Sequence, residues 1–372
     1  MQIVHIIIGK LKGDKMNGIH RVVHNLLLSQ LALGHQSVLW GITFNPVHDY
    51  PPREYQTRLF QDYGKFKLSS AIEETILEHP LDTVFHFHGG FVPQYYLFAN
   101  YLNLLGYKYV FTPHGSYNLL AMKKNKWVKF FYTQIFEKFL IKRAKYIHFV
   151  GESEMAATKK ITSYKDSILI PNGQKRAFKP RIFKPYDGNK KIIFGFCGRL
   201  KMRTKGLDLL LKGFSNFVRG SGVKAELHIT GNGEDLNLLK GLVRSLELEG
   251  YVRFLGAKFG KEKAKFYASL DYLVLCSRNE GLPGVVLEAS ALGVPSIVSK
   301  ETNMANYIEK YYAGIVLQEN TPIEISRVLR KACILKEDRI WRNMCINAQN
   351  MIGDCFNWLT IAKRLMKAYE TK

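Results

Sequence analysis

Residues 276–299 read CSRNEGLPGVVLEASALGVPSIVS. An apolar run, 272–276, leads into a polar turn holding Asn279, Glu280, Gly281 and Pro283. The composition of 284–292 predicts a helix, with Pro just inside its start and Gly293 just past its end. Pro295 then opens another apolar run. A strand, a glycine-bearing turn and a helix start make a natural anion site, because unpaired N–H groups and the positive end of the helix dipole converge there. Two carboxylates complicate that reading. Glu280 sits in the turn and Glu288 in the helix, with seven residues between them. Each would repel a phosphate, but each accepts strong hydrogen bonds from hydroxyls. A ligand with hydroxyls beside its phosphates, such as a sugar nucleotide, suits the mixture.

The same rhythm of strand and helix runs outward in both directions. Strands are expected at 2–9, 37–42, 83–88, 107–112, 146–150 and 167–170, then at 191–197, 224–230, 251–255 and 314–317. Between the first two, Ile19, Val22, Val23, Leu26, Leu27 and Leu31 repeat at helical spacing, with Gly34 as the stop. This alternation predicts an α/β architecture with parallel sheets. The loop holding Gly18 falls at the carboxyl edge of such a sheet and lacks the GxGxxG fingerprint, so no nicotinamide or flavin site is indicated. Residues 171–189, PNGQKRAFKPRIFKPYDGN, have no periodicity and read as a linker. The expected domains are two Rossmann-like units, 1–182 and 183–352, followed by a C-terminal helix in 353–372. Phe356, Trp358, Leu359, Ala362, Leu365, Met366 and Tyr369 form its apolar stripe.

Bulk properties limit the alternatives. The 372 residues are 47% hydrophobic, as in ordinary globular proteins. The five cysteines are scattered without a CxxC pair, which excludes a disulfide framework and fits a reducing compartment. The opening MQIVHIIIGK is too short in its apolar part for a signal peptide and reads as a buried strand. No run approaches the ~18 apolar residues of a membrane span, so a soluble or surface-attached protein is expected. The net charge of +23 attracts nucleic acid, anionic lipid or anionic small molecules alike. Zinc-finger spacing, an aromatic RNA signature and an arginine-rich tail are all missing, so a nucleic-acid partner is not expected.

The charge is densest over 122–149, where Lys123, Lys124, Lys126, Lys129, Lys138, Lys142, Arg143 and Lys145 accompany a single acid, Glu137. Trp127, Phe130, Phe131, Ile135 and Phe139 interleave at three- and four-residue steps, predicting an amphipathic helix. Two readings stay open: a core-packed helix with a solvated basic face, or attachment to an anionic membrane surface. His88, Lys123, Lys124 and Trp127 are the candidates for acceptor or membrane contact.

Other residues carry chemistry. Arg199 offers a planar fork and Lys205 a point charge, a pairing that neutralises a leaving diphosphate. In VFHFHGG, His86 and His88 share one strand face. No third ligand follows at suitable spacing, so no metal is expected; His88 lines a site or packs as a neutral core residue. His114 follows a strand in FTPHGSY.

Glu280 and Glu288 match the EX7E motif, and EGLPGVVLEASALGVPSIVS resembles the signature of retaining glycosyltransferases of family 4. Arg199 and Lys205 resemble that family's GR…KG pair, PNG its interdomain junction, and FNW…AY its closing helix. The resemblance implies a GT-B fold: two Rossmann-like domains facing across a cleft, with the C-terminal helix crossing back to the first. It implies transfer of a hexose from a UDP-sugar or GDP-sugar to a hydroxyl of a glycan or lipid-linked glycan, with retained configuration and no cofactor or metal. In that scheme Glu288 receives the ribose hydroxyls and Glu280 those of the transferred sugar. Arg199 and Lys205 hold the diphosphate, helped by backbone at Gly281, Leu282 and Pro283. Gly18 approaches the donor phosphates, and His114 contacts the donor sugar or leaving phosphate. No side chain is singled out as the base; the leaving phosphate takes the proton. Surface-polysaccharide assembly at the cytoplasmic face of the plasma membrane is the implied setting. A sugar-nucleotide epimerase of the same fold, a non-catalytic sensor and a basic nucleic-acid-binding protein are the competing readings.

Overall fold

In the computed structural model, which describes residues 1–11, 18–118, 121–122, 125–175, 191–337 and 339–370, the apolar runs become the strands of two parallel sheets. The first sheet holds β1 (Gln2–Ile8), β2 (Gln36–Thr43), β3 (Thr57–Gln61), β4 (Val84–His88), β5 (Lys108–Thr112), β6 (Tyr146–Phe149) and β7 (Ser167–Leu169), in the order β3-β2-β1-β4-β5-β6-β7. The second holds β8 (Ile192–Cys197), β9 (Ala225–Thr230), β10 (Val252–Phe254), β11 (Tyr272–Leu275), β12 (Ser296–Val298) and β13 (Gly314–Val316), in the order β10-β9-β8-β11-β12-β13. β1 and β11 are buried almost throughout, as strands covered by helices on both faces must be. Each sheet starts in its middle and reverses direction there, between β1 and β4 and between β8 and β11. Such switch points open a crevice at the carboxyl ends of the strands.

The chain divides into two compact units, Met1–Gly173 with Trp358–Lys372, and Gln174–Asn357. The expected boundary at 182/183 lies outside the described residues. The closing helix Trp358–Glu370 buries Trp358, Ile361, Ala362, Leu365, Met366 and Tyr369. They pack with Ile3, Leu26, Val84, Val110 and Ile170 of the first unit. That interior is therefore completed by the end of the chain.

Two features depart from expectation. β3 is an edge strand, TRLFQ, in which only Phe60 is buried, so it leaves no apolar run to read. The basic segment 122–149 is not one amphipathic helix. Helix Lys126–Tyr132 buries no residue, a π turn spans Thr133–Glu137, helix Lys138–Arg143 buries Leu140 and Ile141, and β6 follows. The π turn carries the segment's one acid inward, where Glu137 accepts from Phe91 N at 3.0 Å and from the Tyr117 hydroxyl. An added residue in one helical turn redirects a side chain in this way.

Removing the anchor of the closing helix tests its role. Trp358→Ala should destabilise the first unit by about 3 kcal/mol, the lower range for truncating a buried aromatic, in urea titration of the full chain. A loss below about 1 kcal/mol would show that the helix is a bystander.

Candidate functional site

At the second switch point, β8 leads into Gly198 and Arg199, and Arg199 is exposed with no ion pair among the described residues. The loop returns through the short helix Met202–Lys205 to Gly206. Gly206 has φ +64, and a Cβ there would stand 1.8 Å from the carbonyl oxygen of Cys276, at the end of β11. Only glycine lets the loop press that closely while turning left-handed. The approach sets Lys205 Nζ 2.5 Å from Glu280 Oε1, which also accepts from Ser277 Oγ at 2.7 Å.

The turn around Glu280 is pinned from beneath. Asn303, itself left-handed, donates to the carbonyl oxygens of Glu280 and Gly281 at 2.6 Å each. Glu280 N donates to Glu301 O at 3.1 Å. Arg278 holds Asp208 through two hydrogen bonds of 2.8 and 2.7 Å and donates to Arg203 O at 2.7 Å, tying the turn to the Lys205 loop. Burial pushes the Asp208 carboxyl up, but the Arg278 contacts win and hold it below the usual range.

Glu288 lies on helix Gly284–Ala291. Its Oε2 faces Lys263 Nζ at 2.5 Å and accepts from Tyr267 Oη at 2.8 Å. Both partners sit one turn apart on helix Gly260–Ser269. Burial and the facing carboxylate drive the Tyr267 phenol far above its ordinary value, so it remains a donor. Pro283 caps the Glu288 helix without a side-chain hydrogen bond and lies just outside it, not inside as expected. Gly281 and Leu282 are half-buried. The structure thus gathers Arg199, Lys205, Glu280, Gly281, Leu282, Pro283 and Glu288 at one sheet edge. Lys205 and Glu280, expected on different parts of a ligand, hold each other. Ser277, Asn303, Lys263 and Tyr267 were not singled out from sequence; the only signal was the four-residue spacing of Lys263 and Tyr267.

In the first unit the histidines converge. His5 of β1, His86 and His88 of β4, and His148 of β6 are buried, and His114 follows β5 with φ +52. The third imidazole that the local spacing denied to His86 and His88 is His5, brought alongside by strand register. Ligand atoms of these three lie within 4.8 Å of one another. Each nitrogen already has a hydrogen-bond partner: His5 meets His88 and Gln30, His86 meets Thr112 and Tyr369, His88 meets His5 and His114. A metal would have to break these bonds. Gly18 begins helix Gly18–Ala32, and a Cβ there would meet nothing within 4 Å, so local packing does not demand glycine. Trp127 is exposed, and Lys123 and Lys124 lie outside the described residues.

Two doubly wound units, one gathering cations and carboxylates at its switch point, have the GT-B fold. Residues 178–350 match the family model described as Glycosyl transferases group 1, and residues 16–174 match Glycosyltransferase Family 4. The chain belongs to the family 4 glycosyltransferases. It is 27% identical over 274 residues to an uncharacterised glycosyltransferase of Methanocaldococcus jannaschii, covering 71% of this chain and 68% of that one. It is 27% identical over 207 residues to the mannosylfructose-phosphate synthase of Agrobacterium fabrum, covering 51% of this chain and 45% of that protein. The match thus spans under half of the latter's length. Among solved structures, the lipopolysaccharide outer core galactosyltransferase WaaB superposes with TM-score 0.72 at 17% identity, covering 99% of each chain. Anabaena HepE, solved with UDP and glucose, superposes with TM-score 0.69 at 15% identity, covering 99% of this chain and 98% of that one. Both likenesses concern the fold.

The buried titratable groups of the first unit set a pH dependence. Burial lowers His5 and His148 to about 4 and His114 to about 3, and His86 and His88 lie well below the ordinary value. Unfolding at low pH therefore takes up protons, so this stability is present above about pH 6.5 and is lost as pH falls toward about 4. Burial raises Glu137 to about 8 and Glu154 to about 7. Their contribution is complete below the ordinary carboxyl value and is lost as pH rises through the neutral range. Five histidines outweigh two acids on the low side, so the full chain should melt at lower temperature at about pH 5 than at about pH 7. Equal or reversed Tm values would show that the histidines are not buried and neutral.

Proposed function

We propose that the chain transfers a hexose from a UDP-sugar or GDP-sugar to a hydroxyl of a glycan or lipid-linked glycan, with retained configuration and without a metal. The observation that carries this reading is the Lys205–Glu280 contact at the β8/β11 edge, with exposed Arg199 at the end of β8. Lys205 would turn from Glu280 to a phosphate oxygen, joined there by Arg199, while the Glu280 carboxylate, still held by Ser277, receives hydroxyls of the transferred sugar. Glu288 receives the ribose hydroxyls, with Lys263 and Tyr267 fixing its orientation. Backbone at Gly281, Leu282 and Pro283 adds dipoles toward the phosphates. Gly18 leaves room for phosphate to approach the first unit's helix start, and His114 meets the donor. The acceptor hydroxyl attacks the anomeric carbon on the face from which the diphosphate departs. The carbon–oxygen bond to phosphate breaks as the new one forms, and the leaving phosphate oxygen takes the hydroxyl proton. The two cations stabilise the charge developing on that diphosphate.

An anionic membrane surface is the proposed setting, and the setting in turn favours a lipid-linked acceptor in surface-polysaccharide assembly. Trp127, Val128 and Phe131 are 69%, 70% and 60% exposed on helix Lys126–Tyr132, where surface aromatics are otherwise costly. Exposed Lys126, Lys142 and Arg143 accompany them. Aromatic rings at the headgroup boundary with lysines toward the lipid charge form an interfacial anchor, each cation adding about 1 kcal/mol. Among the described residues no helix is long and apolar enough to cross a membrane.

Arg199→Ala should leave the fold intact and cut turnover by ~10²-fold or more, read as acceptor-dependent release of UDP or GDP from a panel of sugar nucleotides. Wild-type turnover in that variant would remove Arg199 from the mechanism, and product formation without nucleotide release would point to an epimerase. In flotation with the full chain, binding to phosphatidylglycerol-containing vesicles should exceed binding to neutral vesicles. The double variant Trp127→Ala, Phe131→Ala should lower it ~10-fold. Equal binding by wild type and variant would return that helix to the category of solvated surface.

A further inference from the structure

The sense of every hydrogen bond in the first unit's histidine cluster can be read from atoms that only accept. Carbonyl and amide oxygens have no proton to give. His148 Nε2 lies 2.8 Å from Ile170 O, so it carries the proton, and its Nδ1 accepts from the Thr112 hydroxyl at 2.8 Å. Thr112 Oγ1 then accepts from His86 Nε2 at 2.6 Å, and His86 Nδ1 accepts from the Tyr369 hydroxyl at 2.6 Å. This chain ends in the closing helix at Tyr369, which also lies against Gln30.

The second chain starts at Gln30. Its Oε1 accepts from Ser37 Oγ and from His5 Nε2, both at 2.8 Å. His5 Nδ1 must therefore accept from His88 Nε2 at 2.9 Å, and His88 Nδ1 from His114 Nε2 at 3.0 Å. The rings stack in a column, with centroids 5.1 Å apart for His5 and His88 and 5.2 Å for His88 and His114. His114 stands at the open end, half-buried, on backbone in the left-handed region. Its Nδ1 makes no hydrogen bond among the described residues.

We infer that His88 and His5 are positioning residues for His114: anchored on Gln30, they take up its Nε2 proton and present its Nδ1 as a hydrogen-bond acceptor. The consequence narrows what His114 can do. A neutral imidazole whose one proton is already donated inward has nothing to offer a phosphate oxygen. It can accept from a hydroxyl. On the reading that a sugar nucleotide is the donor, its partner is a hydroxyl of the transferred sugar and not the diphosphate. Among the described residues His86 and His148, both buried, face the column, Tyr369 lies against its Gln30 anchor, and Glu154 accepts from the backbone of Gly115 beside His114; burial disfavours the charged form of every ring in the column. No proton sits on Nδ1 to reverse the sense of the chain.

Histidine-labelled full-length protein, followed by long-range ¹H–¹⁵N correlation, tests the chain without any substrate. His114, His88 and His5 should all be Nε2–H tautomers, and the His114 shifts should stay constant between about pH 5 and about pH 8. His88→Leu removes the acceptor and should let the Nδ1–H tautomer of His114 appear beside the Nε2–H form. His88→Gln supplies an amide oxygen for the same proton and should restore the single Nε2–H tautomer. A proton on Nδ1 of wild-type His114, titration of wild-type His114 in this range, or zinc bound stoichiometrically by His5, His86 and His88 would overturn the inference. The ligand role has its own readout. His114→Ala should leave the Kd for free UDP and free GDP within ~2-fold while lowering turnover of the sugar nucleotide ~10-fold, the scale of one hydrogen bond. A tenfold loss of nucleotide affinity would assign His114 to the phosphates and overturn the acceptor role. An intact column in a protein that turns over no sugar nucleotide would overturn the transferase reading alone.

Discussion

The carbonyl oxygen of Cys276 leaves no room for a side chain at residue 206, and the candidate site depends on that exclusion. Gly206 lets the loop after β8 touch the end of β11, so that Lys205 and Glu280, 75 positions apart, meet at 2.5 Å. Both side chains are largely shielded, 22% and 13% exposed, so each charge needs the other more than in a surface pair. Arg278 and Asp208 bind the same two loops from a second direction, and Asn303 holds the Glu280 turn by its carbonyls. The result is a preformed arrangement of opposite charges at a switch point, where parallel sheets offer ligands a crevice. On the proposed reading only the Lys205–Glu280 contact has to be exchanged for contacts with a ligand, the loops that carry both residues being already fixed.

The first unit solves a different problem. It buries four imidazoles and half-buries a fifth, His114, and it does so by giving each a defined hydrogen-bond partner, so that none needs to be charged. Networks of this kind are stable only when complete. Tyr369, contributed by the last helix, supplies one of the closing donors, and the same helix fills the apolar interior beside it. The chain terminus thus serves both the packing and the polar interior of the unit where the chain began.

Most of the architecture was legible in the sequence because buried parallel strands write long apolar runs and their helices write a regular stripe. β3 escaped because an edge strand with one buried residue leaves no such run. The Glu280, Glu288, Arg199 and Lys205 positions were legible because motif spacing is local. Their partners were not. Ser277, Asn303, Lys263 and Tyr267 act through contacts set by tertiary folding, and His5 joins His88 from the neighbouring strand, 83 residues upstream. The reading of 122–149 as one amphipathic helix failed at the π turn, since helical periodicity cannot register an inserted residue that turns Glu137 into the interior.

A crystal structure of the protein with bound UDP or GDP tests the central claim most directly. The account predicts the diphosphate at the carboxyl edge of β8 and β11, within hydrogen-bond distance of Arg199 and Lys205, with the ribose hydroxyls on Glu288. A nucleotide bound elsewhere, or bound while Lys205 stays on Glu280 and Glu288 touches no ribose, would contradict it.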